Sequence, residues 1–187
     1  MSPQKILLLY VVVPLWLLAG FADWLCHRRS DIEHTSGPRE SVFHLLLLAQ
    51  MGIPLLGAIY LEANALVFGV LCIGFIAHEL TTYADIRYAS RLREVSVTEQ
   101  CVHSVLEMSP LLVILLLASA SWGQWLAVWG LGDEPRRLAL VWSAEQPPAV
   151  YDVALALAVA LLAVVPYLEE LYRSRGTRRR GTHPVPR

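Results

Sequence analysis

Four histidines in this chain each have a carboxylate at helical spacing. The pairs are Asp23 with His27, Glu40 with His44, His78 with Asp85, and His103 with Glu107. Residues four apart project from one face of a helix, and a separation of seven repeats that face two turns on. Glu99 also precedes His103 by four, so one helix can present Glu99, His103 and Glu107 as a stripe. Imidazole with carboxylate is a ligand set favoured by iron, zinc and manganese. A carboxylate can instead accept the second ring N–H of a ligating histidine and fix its tautomer. Sequence alone does not divide the acids between these two roles. Glu99, Glu33, His34 and Glu79 are secondary candidates: Glu33 and His34 share a polar stretch with Asp31, and Glu79 lies one residue off the face of His78.

A single histidine near a helix end is ordinarily an interfacial or capping group. The joint pattern is harder to assign that way, because each of the four lies near a boundary between an apolar run and a polar stretch. The remaining histidines are His34, in the first polar stretch, and His183, in the tail. The expectation is a metal site holding two ions, with iron favoured over zinc or manganese.

The elements that would carry these groups follow from composition. The 187 residues are 56% hydrophobic and 17% charged, a balance typical of a polytopic membrane protein. Apolar runs cover 6–26, 42–61, 65–80, 110–120 and 149–168, and about 20 apolar residues cross a bilayer core. The third helix can continue through Asp85 and Arg87. Ser96 followed by Glu99 is a capping-box pattern that starts a helix ahead of the fourth run. Residues 121–148 mix Trp122, Trp125, Trp129 and Trp142 with charges and read as an interfacial surface segment, although a further membrane segment within 121–142 stays open. The predicted fold is an all-α polytopic bundle of about five transmembrane helices, four of them surrounding a polar metal site. Residues 1–172 form its single domain, and 173–187 read as an Arg-rich disordered tail.

Alternating helix direction brings His27, His44, His78 and His103 to one end, here the A end. The A-end loops 27–41 and 81–100 hold Arg28, Arg29, Arg39, Arg87, Arg91 and Arg93, and five crossings bring the six tail arginines to the same side. Only Lys5, Arg136 and Arg137 lie opposite. The excess makes the A end, with the C-terminus, cytoplasmic and the N-terminus external. The loop arginines read as topology signals and lipid-headgroup contacts. Glu62 is left out, because 18 residues beyond His44 is about 27 Å along a helix. Tyr83 and Tyr88 read as interfacial aromatics, with a role in electron transfer as a lesser option. Cys26, Cys72 and Cys101 lack CxxC spacing and read as small hydrophobes.

The layout over residues 20–107 resembles the integral-membrane di-iron oxygenases and desaturases, which place histidine motifs at the cytoplasmic ends of a few helices. In place of that family's HxxxH and HxxHH boxes, the motifs are Asp23-Trp-Leu-Cys-His27, Glu40-Ser-Val-Phe-His44, His78-Glu79-Leu-Thr-Thr-Tyr-Ala-Asp85 and Glu99-Gln-Cys-Val-His103-Ser-Val-Leu-Glu107. The mixed ligand set is similar in chemistry to that of ferritin-like di-iron proteins. A second outline resemblance is to membrane zinc hydrolases of the ceramidase and adiponectin-receptor type. The first resemblance implies O₂-dependent hydroxylation or desaturation of a lipid-like substrate. A separate electron donor is then needed, since no flavin or nicotinamide motif is present. The alternatives are a zinc hydrolase of a lipid amide or ester, and a haem-binding electron carrier. Nothing in the chain points to nucleic acid.

Overall fold

Three helices begin where a side-chain oxygen accepts from the first turn's free N–H groups: Ser2 from Lys5, Asn64 from Leu66 and Val67, and Ser96 from Glu99. These caps satisfy donors that the helix itself leaves unpaired. A fourth helix starts at Pro38, directly after Gly37 at φ 69°. Glycine tolerates that left-handed conformation, and proline is preorganised for the first helical position.

The computed structural model describes residues 1–180. Its long helices are α1 (Pro3–Arg29), α2 (Pro38–Tyr60), α3 (Ala65–Ala89), α4 (Val97–Ala120) and α6 (Ala149–Thr177), with a short α5 (Trp122–Val128) between the last two. The fold is all-helical. The five long helices are each long and apolar enough to cross a membrane, at 23 to 29 residues and mean hydropathy 1.8 to 2.3. Four of the expected apolar runs each lie within one of them, and the run 42–61 overshoots α2 by one residue, Leu61, which caps the helix in an extended conformation. As expected, α3 runs through Asp85 and Arg87, and α4 starts at the Ser96 cap.

Residues 121–148 add no sixth helix of crossing length. After α5 the chain is extended and lies across the end opposite the A end. Trp142 bridges to Leu61, Glu62 N–H donates to Val141 O (2.8 Å), and Asn64 Nδ2 donates to Ala139 O (2.8 Å). Trp122, Trp129 and Trp142 are exposed there. The boundary expected at residue 172 falls inside a packed helix. Ser174 is fully buried and bonds Ser41 (Oγ to Oγ, 3.2 Å), and Arg173 pairs with Glu33 and Glu169. The rest of the expected tail, from 181, lies outside the described residues.

The apolar core includes Val13, Met51, Leu55, Phe68 and Val113. α3 approaches α2 closely because residue 74 is glycine: a Cβ there would stand 2.8 Å from Pro54 Cγ and 3.3 Å from the Gln50 carbonyl. Both α1 and α6 contain a π-helical turn, at Leu8–Val12 and Ala160–Val164. Such a turn widens the helix and shifts the face that the following residues present.

Candidate metal centre

At the A end, the last turns of α1 supply Asp23 and His27, and the first turns of α2 supply Glu40 and His44. The second half of α3 supplies His78 and Asp85, and the start of α4 supplies Glu99 and His103. Seven of these eight are buried, and the eighth, His103, keeps a side-chain exposure of 14%. A ninth group enters from α6: Glu170, fully buried. All five long helices therefore contribute, where the sequence pointed to four.

Glu170 organises the cluster. Its two carboxylate oxygens bond the Nδ1 atoms of two histidines, His27 at 3.1 Å and His44 at 2.8 Å. The two rings stack with centroids 4.1 Å apart and planes 7° from parallel. A carboxylate holding Nδ1–H leaves Nε2 as the lone-pair nitrogen. Neither Nε2 has a hydrogen-bond partner among the described residues, and the same holds for His78 Nδ1. His27 Nε2 stands 3.4 Å from both Asp23 Oδ1 and Glu99 Oε1, and His44 Nε2 stands 3.4 Å from Asp85 Oδ2. Two ligand atoms about 2.1 Å from one ion at a tetrahedral angle are about 3.4 Å apart. His103 Nε2 joins the first group at 2.8 Å from Asp23 Oδ1. Ligand atoms of Asp23, His27 and His103 lie within 4.8 Å of one another, as do those of His27, Glu40 and His44. Tyr167 supports Asp23 from behind: its hydroxyl donates to Gly20 O at 3.1 Å and lies 3.5 Å from Asp23 Oδ2.

Arg93 departs most from expectation. Its side chain is only 3% exposed, and its Nη2 contacts Glu40 Oε1 and Glu99 Oε1, each at 2.5 Å. It is therefore not a headgroup contact but a cation folded in from the α3–α4 loop. Burial opposes its charge, yet hydrogen bonds and Coulomb attraction from Glu99 and Glu40 prevail and raise its pKa above the usual arginine value. Glu40 is thus held first by Arg93. Glu99, a secondary candidate by sequence, stands as close to His27 as Asp23 does.

The other candidates separate cleanly. Glu107 is half-buried and lines the cavity with His78 and His103. Glu79, next to His78 on α3, is half-buried. Glu33 pairs with Arg173, and His34 is exposed and bonds Asp31 at 2.7 Å, so neither completes the cluster. Glu62 pairs with Arg137 at the opposite end, as its distance along α2 required. Tyr83 is exposed, and Tyr88 donates to Ser36 O with Arg39 over its ring at 4.8 Å, which leaves both outside the cluster.

Charge sets what this arrangement can hold. Asp23, Glu40, Asp85, Glu99 and Glu170 are each at most 3% exposed. Five carboxylates against one guanidinium leave four uncompensated negative charges when the imidazoles are neutral. Isolated buried charges are costly and are normally paired or bound to metals. Protonating both stacked rings is a poor remedy, because two like charges at that separation repel. Between the groups lies a cavity of about 40 Å³ bounded by Asp23, His44, His78, Asp85, His103 and Glu107, with Trp16, Leu17 and Leu106 on its apolar side. One water or ion needs roughly 10–15 Å³ of such space.

Glu170 was the residue that sequence reasoning missed. It has no histidine at helical spacing on α6, and the adjoining Glu169 is a surface partner of Arg28 and Arg173. The available signal was topological: the end of a fifth crossing returns to the same side as His27. Neither family models nor curated proteins nor solved structures match the chain.

Proposed function

We propose that this protein is an integral membrane metalloenzyme that binds two divalent ions in the A-end cluster. The observation that carries this reading is the pair of imidazoles locked through Nδ1 by one carboxylate, each turning a free Nε2 toward a different acid at ligand spacing. Asp23, His27, Glu99 and His103 would hold one ion. His44, His78 and Asp85 would hold the other, with Glu107 across the cavity. Two divalent ions carry the four positive charges that the buried groups lack. A carboxylate that accepts from the other ring nitrogen of a ligating histidine fixes its tautomer and raises its basicity, which is the role given to Glu170.

Iron is favoured, and bound iron would supply O₂ activation. The chain's own residues exclude water, orient the ions and place an alkyl chain against the apolar side of the cavity. Hydroxylation converts C–H, O₂, two electrons and two protons to C–OH and water. Desaturation converts CH₂–CH₂, O₂, two electrons and two protons to CH=CH and two waters. The electrons come from a separate protein donor. The arginine excess directs the A end to the cytoplasm, where reduced donors are found.

A second reading, a zinc hydrolase acting on a lipid amide or ester, is favoured by one observation: Glu107 borders the cavity beside His103, placed to act as base on a metal-bound water. The haem carrier fits less well, because rings stacked 4.1 Å apart leave no space for a macrocycle between them. Elemental analysis of detergent-purified protein, wild type beside His103→Ala, separates the readings. Iron near two per chain that falls in the variant supports the first, zinc near one per chain supports the second, and a Soret band supports haem. No bound metal in either protein refutes both metalloenzyme readings.

A further inference from the structure

α2 and α6 are tied together at both ends and open in the middle. At the A end, His44 bonds Glu170 (2.8 Å) and Ser41 bonds Ser174 (3.2 Å). At the other end the Tyr60 hydroxyl donates to Asp152 Oδ1 at 2.7 Å. Between these ties lies an apolar groove of about 160 Å³, lined by Leu48, Gly52 and Leu56 of α2, Leu155 and Val164 of α6, and Trp16 of α1. Gly52 forms its floor, where a Cβ would meet Trp16 Cη2 at 3.8 Å. Ile53, Leu56 and Val164 on its rim are exposed. Along α2 the groove runs from Leu48 to Ile59, about 16 Å at 1.5 Å per residue.

Trp16 and Leu48 line both the groove and the polar cavity, so the two spaces adjoin across these side chains, one turn of α2 below His44. Every side chain along the groove is apolar, whereas the cavity ends in imidazoles and carboxylates. The geometry points to a lateral binding site for a single alkyl chain, entered from the bilayer between α2 and α6 and delivering the chain past Trp16 into the cavity. This inference rests on the reading of that cavity as the reaction site. A chain moving from lipid into the groove gains no hydrophobic transfer energy, since both surroundings are apolar. Its residence depends on close packing against Trp16 and Gly52, and this makes a bulky side chain at 52 the sharpest perturbation.

The probe is a palmitic acid carrying a mid-chain diazirine, irradiated with the protein in phosphatidylcholine vesicles and mapped by peptide mass spectrometry. Crosslinks are expected on the segments of α2 and α6 that line the groove, several-fold above those on Val70, Ile73 and Ile76, which are exposed on α3 outside it. Gly52→Trp overfills the floor and is expected to cut groove labelling about tenfold with metal content unchanged, while Ile73→Trp leaves it intact. If Gly52→Trp does not accumulate, Gly52→Val tests the same floor, and the wild-type map decides by itself. Equal labelling of the groove and the α3 face overturns the proposal, as does full groove labelling in the Gly52 variant. Labelling needs no metal, so groove labelling in a metal-free protein refutes only the metalloenzyme reading. Two ions bound without groove labelling refute only the groove.

Discussion

Glu170→Gln tests the centre of the reasoning, because it keeps shape and removes one specific capability. The carboxylate accepts from two imidazoles at once, at 3.1 and 2.8 Å. An amide has one acceptor oxygen and one donor nitrogen. One ring keeps its Nδ1–H bond to the oxygen. The other faces an N–H and must present a bare Nδ1, which puts its proton on Nε2 and takes that nitrogen out of metal binding. The substitution also removes one of the four charges that two divalent ions would balance. Changing such an outer partner typically costs 10–100-fold in metal affinity, or about 1.4 to 2.7 kcal/mol. The expected result is unequal loss: one ion retained near wild-type affinity and the other weakened by that factor. Calorimetric titration of metal-free protein in detergent, with elemental analysis of the loaded form, reads both sites. Two ions bound at wild-type affinity would refute the shared-carboxylate account, and weakening of both in parallel would argue against two distinct sites.

Arg93→Met leaves Glu40 and Glu99 buried without their cation. Thermal unfolding of the purified variant is expected to show a loss of about 3–5 kcal/mol, whereas a change within about 0.5 kcal/mol would return Arg93 to a surface role. Gly74→Ala places a methyl against Pro54 and the Gln50 carbonyl, and the same assay should read about 1–3 kcal/mol of destabilisation. His34→Ala and Glu62→Ala remove groups outside the cluster, so the metal-to-protein ratio should match wild type; a reduced ratio in either would mean that the ligand set is misassigned. Cys101, exposed near the start of α4, should react with a membrane-impermeant maleimide in inside-out vesicles and not in right-side-out ones, and the reverse pattern would invert the proposed orientation.

Much of the fold was readable because the signals were local. Ser96 and Glu99 announced the start of α4, and the apolar runs announced five long helices. Residues 121–148 read as an interfacial segment with a sixth crossing left open, and the structure has only the short α5 there. The gathering of His27, His44, His78 and His103 at one end needed only the order of the helices, since direction alternates with each crossing. The pairing of individual acids was less accessible. Asp85 lies two turns from His78 on one face of α3, yet its Oδ2 stands against His44 of α2. Glu40 follows the helical rule with His44 but is captured by Arg93. Both outcomes depend on how neighbouring helices rotate, and spacing within one helix carries no information about that.

Sequence by itself determined the class of the protein, its long helices, and the end at which its imidazoles and most of its acids collect. These follow from hydropathy, capping and alternation, which act residue by residue along the chain. Tertiary structure alone decided that Glu170 reaches across from α6 to hold two rings, that a loop arginine is buried rather than solvated, and which nitrogens remain free. The reason is that a side chain's partner is set by the azimuth of its helix. Packing contacts such as Gly74 against Pro54 help fix that azimuth, and the π-turn ahead of Glu170 shifts it locally. A buried charge then takes the nearest opposite charge that the packing offers, whatever its distance in sequence.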